Sequence, residues 1–336
     1  MTQNTRKDVA SGAKAPSEAQ PVGSKASCAP ARRGLLSRIA GSDALRALLR
    51  SPSAALALVL GLVLAGLALL APVIAPQDPF DLGAIDISYA NLAPCWTESG
   101  DPAFLLGTDD QGRDLWSAML FGMRLSLAIS LAAVALSVLT GVSLGLLAGF
   151  VGGWVDSLIM RVCDVMLSFP AILLALLIDG ILRAALPAGE HETLPYVVLI
   201  AAITLSGWVP YARTVRGMTL VERGREYVLS ARVIGVRPAT ILRRHILPNV
   251  LGPVFVLGTL HIATAILTEA TLSFLGVGVP PTTPSLGTLI RIGSDFLFSG
   301  EWWITIFPGL ALVALILSVN LVGDWLRDAF NPALAQ

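Results

Sequence analysis

Long apolar runs follow one another along most of this chain. Five have uncharged interiors and occupy about residues 54–75, 125–150, 194–213, 246–269 and 302–324. A bilayer core about 30 Å thick needs roughly 20 apolar residues in a helix that rises about 1.5 Å per residue. Each run is therefore predicted to cross a membrane as one helix.

A sixth run, about residues 158–184, is interrupted by charge. Arg161 and Asp164 lie near one end, and Asp179 and Arg183 near the other. These spacings place the members of each pair on one helix face, so each pair is expected to neutralise itself. Charges near the ends of a span avoid the bilayer centre, where they are most costly. We therefore predict a sixth span, and an all-α integral membrane protein with six transmembrane helices over residues 53–332.

Basic residues predict how these spans are oriented. Nine Lys and Arg residues precede the first span and eight Arg residues lie within 213–244, whereas the loop 76–114 contains only Arg113. The loops 187–193 and 270–301 are equally poor in basic residues, with Arg291 alone between them. Because cytoplasmic loops carry the excess of Lys and Arg, both termini and residues 213–244 are predicted to be cytoplasmic.

The composition agrees with a membrane protein. Of the 336 residues, 54% are hydrophobic and 14% are charged, against about 25% charged in soluble domains. Residues 1–34 are rich in Ser, Ala, Pro, Gly and charge, so they are predicted to form a disordered cytoplasmic tail rather than a signal peptide. Residues 35–52 would form a cytoplasmic pre-membrane segment.

Cysteine and histidine point to neither disulfides nor metal. The topology separates Cys28, Cys95 and Cys163, so no disulfide is expected. The three His residues lack the spacing of a helical metal pair. We predict no metal site and no cofactor.

Small residues form a stripe along the second span. Ser137, Gly141, Gly145 and Gly149 recur every fourth position, which lets another helix approach closely. The stripe is interpreted either as a helix interface within an assembly or as internal packing against the chain's own spans.

The basic segment 222–245 contains two predicted short helices. In the first, Tyr227, Ala231 and Ile234 share a face. Gly235 follows, where a helix end favours a left-handed residue, and Pro238 suits the first turn of the second helix. From the residues alone, this unit is an interfacial helix on anionic lipid, a positive-inside loop, a helix packed on its own spans, or a docking site for a cytosolic partner.

The segment resembles the cytoplasmic EAA loop of ABC-importer permease subunits. That pattern is Glu-Ala-Ala, three residues, Gly and, after nine residues, Ile-x-Leu-Pro. The matching positions are Ala231, Gly235, Leu247 and Pro248. Leu229, Ser230 and His245 replace the family's glutamate, first alanine and isoleucine.

The resemblance extends over about residues 40–332 and rests on six blocks. Two lie in this segment, REYVLSARVIG and RHILPN, and four lie elsewhere: LGTDDQGRD, GGWVDSLIMRVCDVMLSFP, EATLSFLGVGVPPTTPSLG and NLVGDWLRDAFNP. Together they resemble the dipeptide, oligopeptide and nickel permease branch, and within it the second, C-type permease of the pair.

The resemblance implies a fold of the ABC type I importer permease kind and a coupling helix that docks in a groove of an ATPase. Its implied partners are a second permease subunit in a heterodimer, two cytosolic ABC ATPase subunits, an external solute-binding protein and membrane lipid, with no nucleic acid. The implied docking residues are Glu226, Tyr227, Ser230, Ala231, Gly235 and Pro248. The implied function is half of a translocation pathway for peptides or related small solutes in the bacterial inner membrane.

Lysine usage agrees with a separate ATPase. A phosphate-binding loop needs Lys followed by Ser or Thr. Lys7, Lys14 and Lys25 are followed by Asp8, Ala15 and Ala26, so none fits, and the chain is expected to be a transport subunit rather than an enzyme. The alternatives are an ion-coupled secondary transporter, which usually needs ionisable residues deep in its spans, and a membrane anchor without a transport role.

Two loops predicted to be external carry distinctive motifs. LGTDDQGRD (106–114) is interpreted as a contact to a partner or the pathway mouth, or as a solvated acidic loop in which Asp114 starts a helix. VPPTTPS (279–285) is predicted to be a rigid extended turn.

Overall fold

The computed structural model describes residues 51–330, except 82, 84, 186–193 and 284. The predicted tail 1–34 and nearly all of the segment 35–52 lie outside this part. Within it the regular structure is helical, with no strand. Its α-helices, in chain order, are α1 Pro52–Leu69, α2 Ala71–Ile74, α3 Leu115–Val151, α4 Gly153–Leu167, α5 Ala171–Ala185, α6 Leu194–Glu222, α7 Glu226–Val233, α8 Pro238–Ile241, α9 Leu247–Phe274, α10 Leu286–Phe296 and α11 Trp303–Phe330.

Five helical segments of the described chain are long and apolar enough to cross a membrane: Pro52–Leu69, Leu115–Val151, Leu194–Glu222, Pro238–Phe274 and Trp303–Arg327. The predicted span 158–184 is instead a pair of helices, α4 and α5, bent by 96°. Pro170 follows the end of α4, and a proline disfavours helical backbone at the residue before it. The interruption therefore lies at Ser168–Pro170, where no charged residue stands, and it follows from backbone geometry.

Contacts between the helices define two ends of the bundle. Gly141 lies against Trp208 and Gly149 against Thr219, so α3 and α6 run in the same direction. The arginine-rich end contains residues 151–156 and 222–246. The loop end contains the described residues of 76–114 and 275–301 and the start of α11, where the Trp303 indole N–H donates to the Thr108 carbonyl at 3.2 Å. Since α3 ends and α6 begins at opposite ends, the chain must return across the bundle between them, and the described part of this return is α4 and α5. This sixth crossing confirms the predicted all-α, six-span fold.

The glycine stripe packs inside the chain. A Cβ atom would lie 2.5 Å from the Trp208 carbonyl oxygen at Gly141, and 2.6 Å from the Ala212 carbonyl oxygen at Gly145. At Gly149 it would lie 2.6 Å from Thr219 Cβ. No side chain fits at these separations, so the stripe lets α3 and α6 approach backbone to backbone. Of the two predicted interpretations, the structure supports internal packing.

The predicted neutralisation of Asp164 by Arg161 is wrong. The Asp164 carboxylate accepts instead from Arg213 Nη2 on α6 at 2.6 Å. An Arg–Asp pair between two helices is available once α4 lies against α6, and sequence spacing within α4 does not reveal it. The side chains of Asp179 and Arg183 lie outside the described part of the chain.

Candidate docking site at the arginine-rich end

Helix α7 ends at a glycine turn, as the sequence predicts. Gly235 has φ +81°, in the left-handed region. The Val236 N–H donates to the Ala231 carbonyl and the Gly235 N–H to the Arg232 carbonyl, both at 3.0 Å. These are the two bonds of a Schellman turn. Pro238 begins α8, so the predicted order of helix, glycine and second helix is confirmed.

The structure turns a different face of α7 outward from the one that the sequence predicts. Val228 and Ala231 are buried against the ends of α6 and α9, where they join a cluster with Tyr211, Val215 and Val250. Ala231 therefore cannot share an outward face with Ile234. An eight-residue helix offers several faces to its surroundings, and only the packed structure shows which one meets the spans.

The outward side of α7 carries an exposed apolar face, formed by Leu229, Val233 and Ile234. Val233 is 88% exposed and Ile234 80% exposed. The polar residues Glu226 and Ser230 are also exposed. Adjacent exposed aliphatic side chains among arginines are typical of an interaction surface. The sequence prediction had not singled out Leu229 and Val233.

Tyr227 ties α7 to both neighbouring spans. Its hydroxyl donates to the Glu222 carboxylate at the end of α6. It also accepts from the Asn249 side-chain amide, at 2.9 Å, at the start of α9. The same amide donates to the His245 carbonyl at 2.8 Å. Tyr227 thus positions the exposed apolar face, and Asn249 is a member of the site that sequence reasoning missed.

Pro248 lies where α8 continues into α9. A π-helical turn, Leu242–Ile246, joins the two helices, and together they form one helical segment of 37 residues, Pro238–Phe274. Pro248 has no N–H for the carbonyl four residues earlier, and a π-helical turn is one way to accommodate such a defect. Helix α8 is therefore continuous with a predicted span.

Arginines brace this end of the bundle. Arg216 forms an ion pair with Asp156 of α4, with Nη2 and Oδ2 at 2.7 Å. Arg223 Nη1 donates to the Gly149 carbonyl at 3.0 Å. Arg232 lies over the Phe150 ring, 5.5 Å from its centroid. These contacts hold α4 and α7 against the ends of α3 and α6, so the basic residues have a structural role at this end of the bundle.

The loop end contains a buried ion pair. Arg113 Nη2 and Asp109 Oδ2 lie 2.6 Å apart, with their side chains 1% and 0% exposed. Arg113 Nη1 also donates to the Pro281 carbonyl at 2.7 Å, which joins the two motif loops. The interpretation as a solvated acidic loop is therefore wrong. The predicted helix-start role of Asp114 is confirmed, because its carboxylate accepts from the Ser117 N–H at 2.9 Å.

Two ionisable residues lie within α9. His261 Nδ1 and the Tyr211 hydroxyl are 3.1 Å apart, and the imidazole lies against Gly207. Glu269 is fully buried, and sequence reasoning missed it because it occupies the last position of the predicted span. The available signal was a single acidic residue at the end of this predicted span, directly after its uncharged interior.

Two family descriptions match the chain. Residues 141–336 match the family "binding-protein-dependent transport system inner membrane component". Residues 40–94 match the N-terminal transmembrane domain of oligopeptide transport permease C.

Curated relatives agree over most of the chain. The dipeptide transport system permease protein DppC of Haemophilus influenzae is 40% identical over 84% of this chain and 91% of the relative. DppC of Escherichia coli K12 is 43% identical over 85% and 91%. The di/tripeptide permease DppC of Pseudomonas aeruginosa is 39% identical over 80% and 84%.

A solved structure shares the fold. A chain of the inward-facing MetNI methionine ABC transporter superposes with a TM-score of 0.51, covering 63% of this chain and 96% of that chain at 19% identity. With the curated relatives, this sets aside the secondary-transporter alternative. The chain belongs to the inner membrane components of binding-protein-dependent transport systems, as an ABC-importer permease of the C type.

Proposed function

We propose that this permease forms half of the translocation pathway of an ATP-driven importer for peptides or related small solutes. The observation that carries the proposal is the exposed apolar face of α7, held at the tip of a unit whose second helix continues into a span. Peptides as the solute class are supported by the three curated relatives, which are dipeptide or di/tripeptide permeases.

The partners proposed are a second permease, two cytosolic ATPases and an external binding protein. Leu229, Val233 and Ile234 would seat in a groove of the ATPase, with Glu226 and Ser230 at the edge of the contact. Tyr227 and Ala231 would position α7 from its inner side, Gly235 would form the turn, and Pro248 would join the unit to α9. ATP-driven closure of the ATPases would then move α8 and α9 together and re-pack the spans.

The arginine-rich end is proposed to be cytoplasmic. It carries the eight arginines of residues 213–244, and cytoplasmic segments are enriched in Arg and Lys. The first described residues, at the start of α1, belong to the same end, because Leu67 near the other end of α1 and Ala71 of α2 pack on the start of α3. Helix α11 begins at the loop end and finishes here as well, so both termini would be cytoplasmic.

The Val233→Glu variant tests the proposed docking. A carboxylate at this position, 88% exposed here, would have to be buried without a partner in an apolar groove, which costs several kcal/mol. We expect the tagged wild-type permease to co-purify with ATP-hydrolysing activity and the variant to lose at least about nine-tenths of it. Equal activity in both preparations would contradict docking at α7.

A matched control places the same charge at the other end. Phe298 is 98% exposed at the loop end, and Phe298→Glu should leave the co-purified ATPase activity unchanged.

Uptake into cells should stop when ATP is depleted and continue when an ionophore dissipates the ion gradients. The reverse dependence would contradict ATP-driven import.

A further inference from the structure

Glu269 is a buried carboxyl group that the proposed function does not use. It lies near the loop end of α9, and its side chain is fully buried. Its Oε1 accepts from the Ser273 hydroxyl, one turn later, at 2.8 Å. Its Oε2 makes no hydrogen bond of good geometry within the described chain. Buried carboxylic oxygens are normally satisfied, so this group calls for an explanation.

Three helices meet at this carboxyl group. The hydroxyl groups around it come from Ser126 of α3, Ser273 of α9 and Ser285. Ser285 caps the N-terminus of α10, where its Oγ accepts from the Thr288 N–H at 3.3 Å. The Ser126 hydroxyl lies near the carboxyl group and forms no hydrogen bond of good geometry among the described residues. Each of the three helices thus places one serine beside the carboxyl group, and Ser273 forms the hydrogen bond to it.

The chain between α9 and α10 folds back over Glu269. After the turn at Gly276, the Val277 N–H donates to the Leu272 carbonyl at 3.1 Å. Gly278 lies so close that a Cβ atom there would be 2.6 Å from Ser273 Cβ. At Gly287 in α10, a Cβ atom would be 2.7 Å from Ala270 Cα. The backbone of α10 therefore rests directly on α9 beside the carboxyl group.

Stability alone does not account for a carboxyl group at this place. Removing a carboxylate from water costs several kcal/mol, and an aliphatic side chain of similar volume has no such cost. A carboxyl group offers instead directional acceptors and an interaction with the positive N-terminal end of a helix. Such directional interactions favour one arrangement of α10, whereas an apolar contact would permit several.

We propose that Glu269 is a positioning residue, which holds α10 and the turn before it in one arrangement on the ends of α3 and α9. The loop end, which also contains the Asp109–Arg113 pair, then presents a fixed surface. The positioning role of Glu269 does not depend on the proposed function. The further statement that this surface receives the binding protein does depend on it.

The test compares Glu269→Leu with Glu269→Gln in purified permease reconstituted in nanodiscs. The probe is the thiol of a Met119→Cys variant, in a background without Cys28, Cys95 and Cys163. Met119 is buried under α10, where it packs in one cluster with Leu289. We expect Glu269→Leu to raise the rate of maleimide labelling about tenfold, the scale of losing one buried polar contact. Glu269→Gln should retain protection, because its amide can accept from Ser273 and donate to a second hydroxyl.

Two controls separate positioning from unfolding. The thiol of Val142→Cys, buried in the cluster at the arginine-rich end, should remain protected in every variant. The thiol of Phe298→Cys should be labelled equally in all. The melting temperature of Glu269→Leu should stay at or above that of the wild type, because the desolvation cost is gone. Unchanged protection in Glu269→Leu, or release in Glu269→Gln equal to that in Glu269→Leu, would overturn the proposal. Either result leaves the ATPase test of import untouched.

Discussion

The Gly235→Val variant is expected to hydrolyse ATP without moving solute. Gly235 has φ +81°, a conformation that a β-branched residue adopts only with strain of about 1–3 kcal/mol. No atom lies within 4 Å of the position that a Cβ would take, so the strain comes from the backbone and not from a clash. Relieving it would open the Schellman turn and separate α7 from α8. The measurement is solute uptake and ATP hydrolysis by the same reconstituted complex.

Two substitutions serve as controls for this prediction. Gly235→Asn should retain most of the uptake, since Asn tolerates the left-handed region. Gly217→Ala adds a methyl group at a position in α6 that is equally open but has ordinary helical backbone, and it should behave as the wild type. Normal uptake by Gly235→Val would show that the turn does not transmit the ATPase movement.

The Arg113→Met variant is expected to show the largest loss of stability. It leaves the Asp109 carboxylate buried without its cation, because both side chains of this pair are at most 1% exposed. Removing one partner of a buried pair costs about 3–5 kcal/mol. It also removes the contact from Arg113 to the Pro281 carbonyl. Thermal unfolding of the purified permease should therefore begin several degrees lower than in the wild type.

The matched control removes an exposed pair. Arg213 and Asp164 have side chains 44% and 62% exposed, and such pairs contribute about 0–1 kcal/mol. Arg213→Met should thus change the melting temperature little. The double variant Asp109→Asn with Arg113→Met should be more stable than Arg113→Met alone, since it removes the uncompensated charge. Equal melting temperatures for Arg113→Met and Arg213→Met would refute the role of the buried pair.

The hydrophobic pattern was sufficient to predict the membrane fold, because an uncharged run of about 20 apolar residues is typical of a membrane-spanning helix. The helix, glycine and helix of residues 226–241 were also predictable, since Gly235 and Pro238 act on the backbone locally. The bend at Ser168–Pro170 changes only the direction of the chain, so a hydropathy run does not reveal it.

Long-range partners were not predictable. Asp109 and Arg113 look like surface residues in sequence, and their burial comes from distant contacts, such as the Asn91 N–H on the Asp109 carbonyl and the Pro281 carbonyl on Arg113. Asp164 has a near neighbour of opposite charge in sequence, yet its partner Arg213 is 49 residues away. The inward face of α7 depends in the same way on where α6 and α9 place their apolar side chains. Each of these features is a property of the assembled bundle.

The position of Ser230 relative to the membrane tests the central claim most directly. Ser230 is exposed on α7, and a Ser230→Cys variant without the three native cysteines provides a single thiol there. A membrane-impermeant maleimide is applied to intact spheroplasts and to inside-out vesicles, with Phe298→Cys as the control for the opposite face. We predict that Ser230→Cys is labelled only in the inside-out vesicles and Phe298→Cys only in the spheroplasts. Labelling of Ser230→Cys in intact spheroplasts would contradict a cytoplasmic docking site.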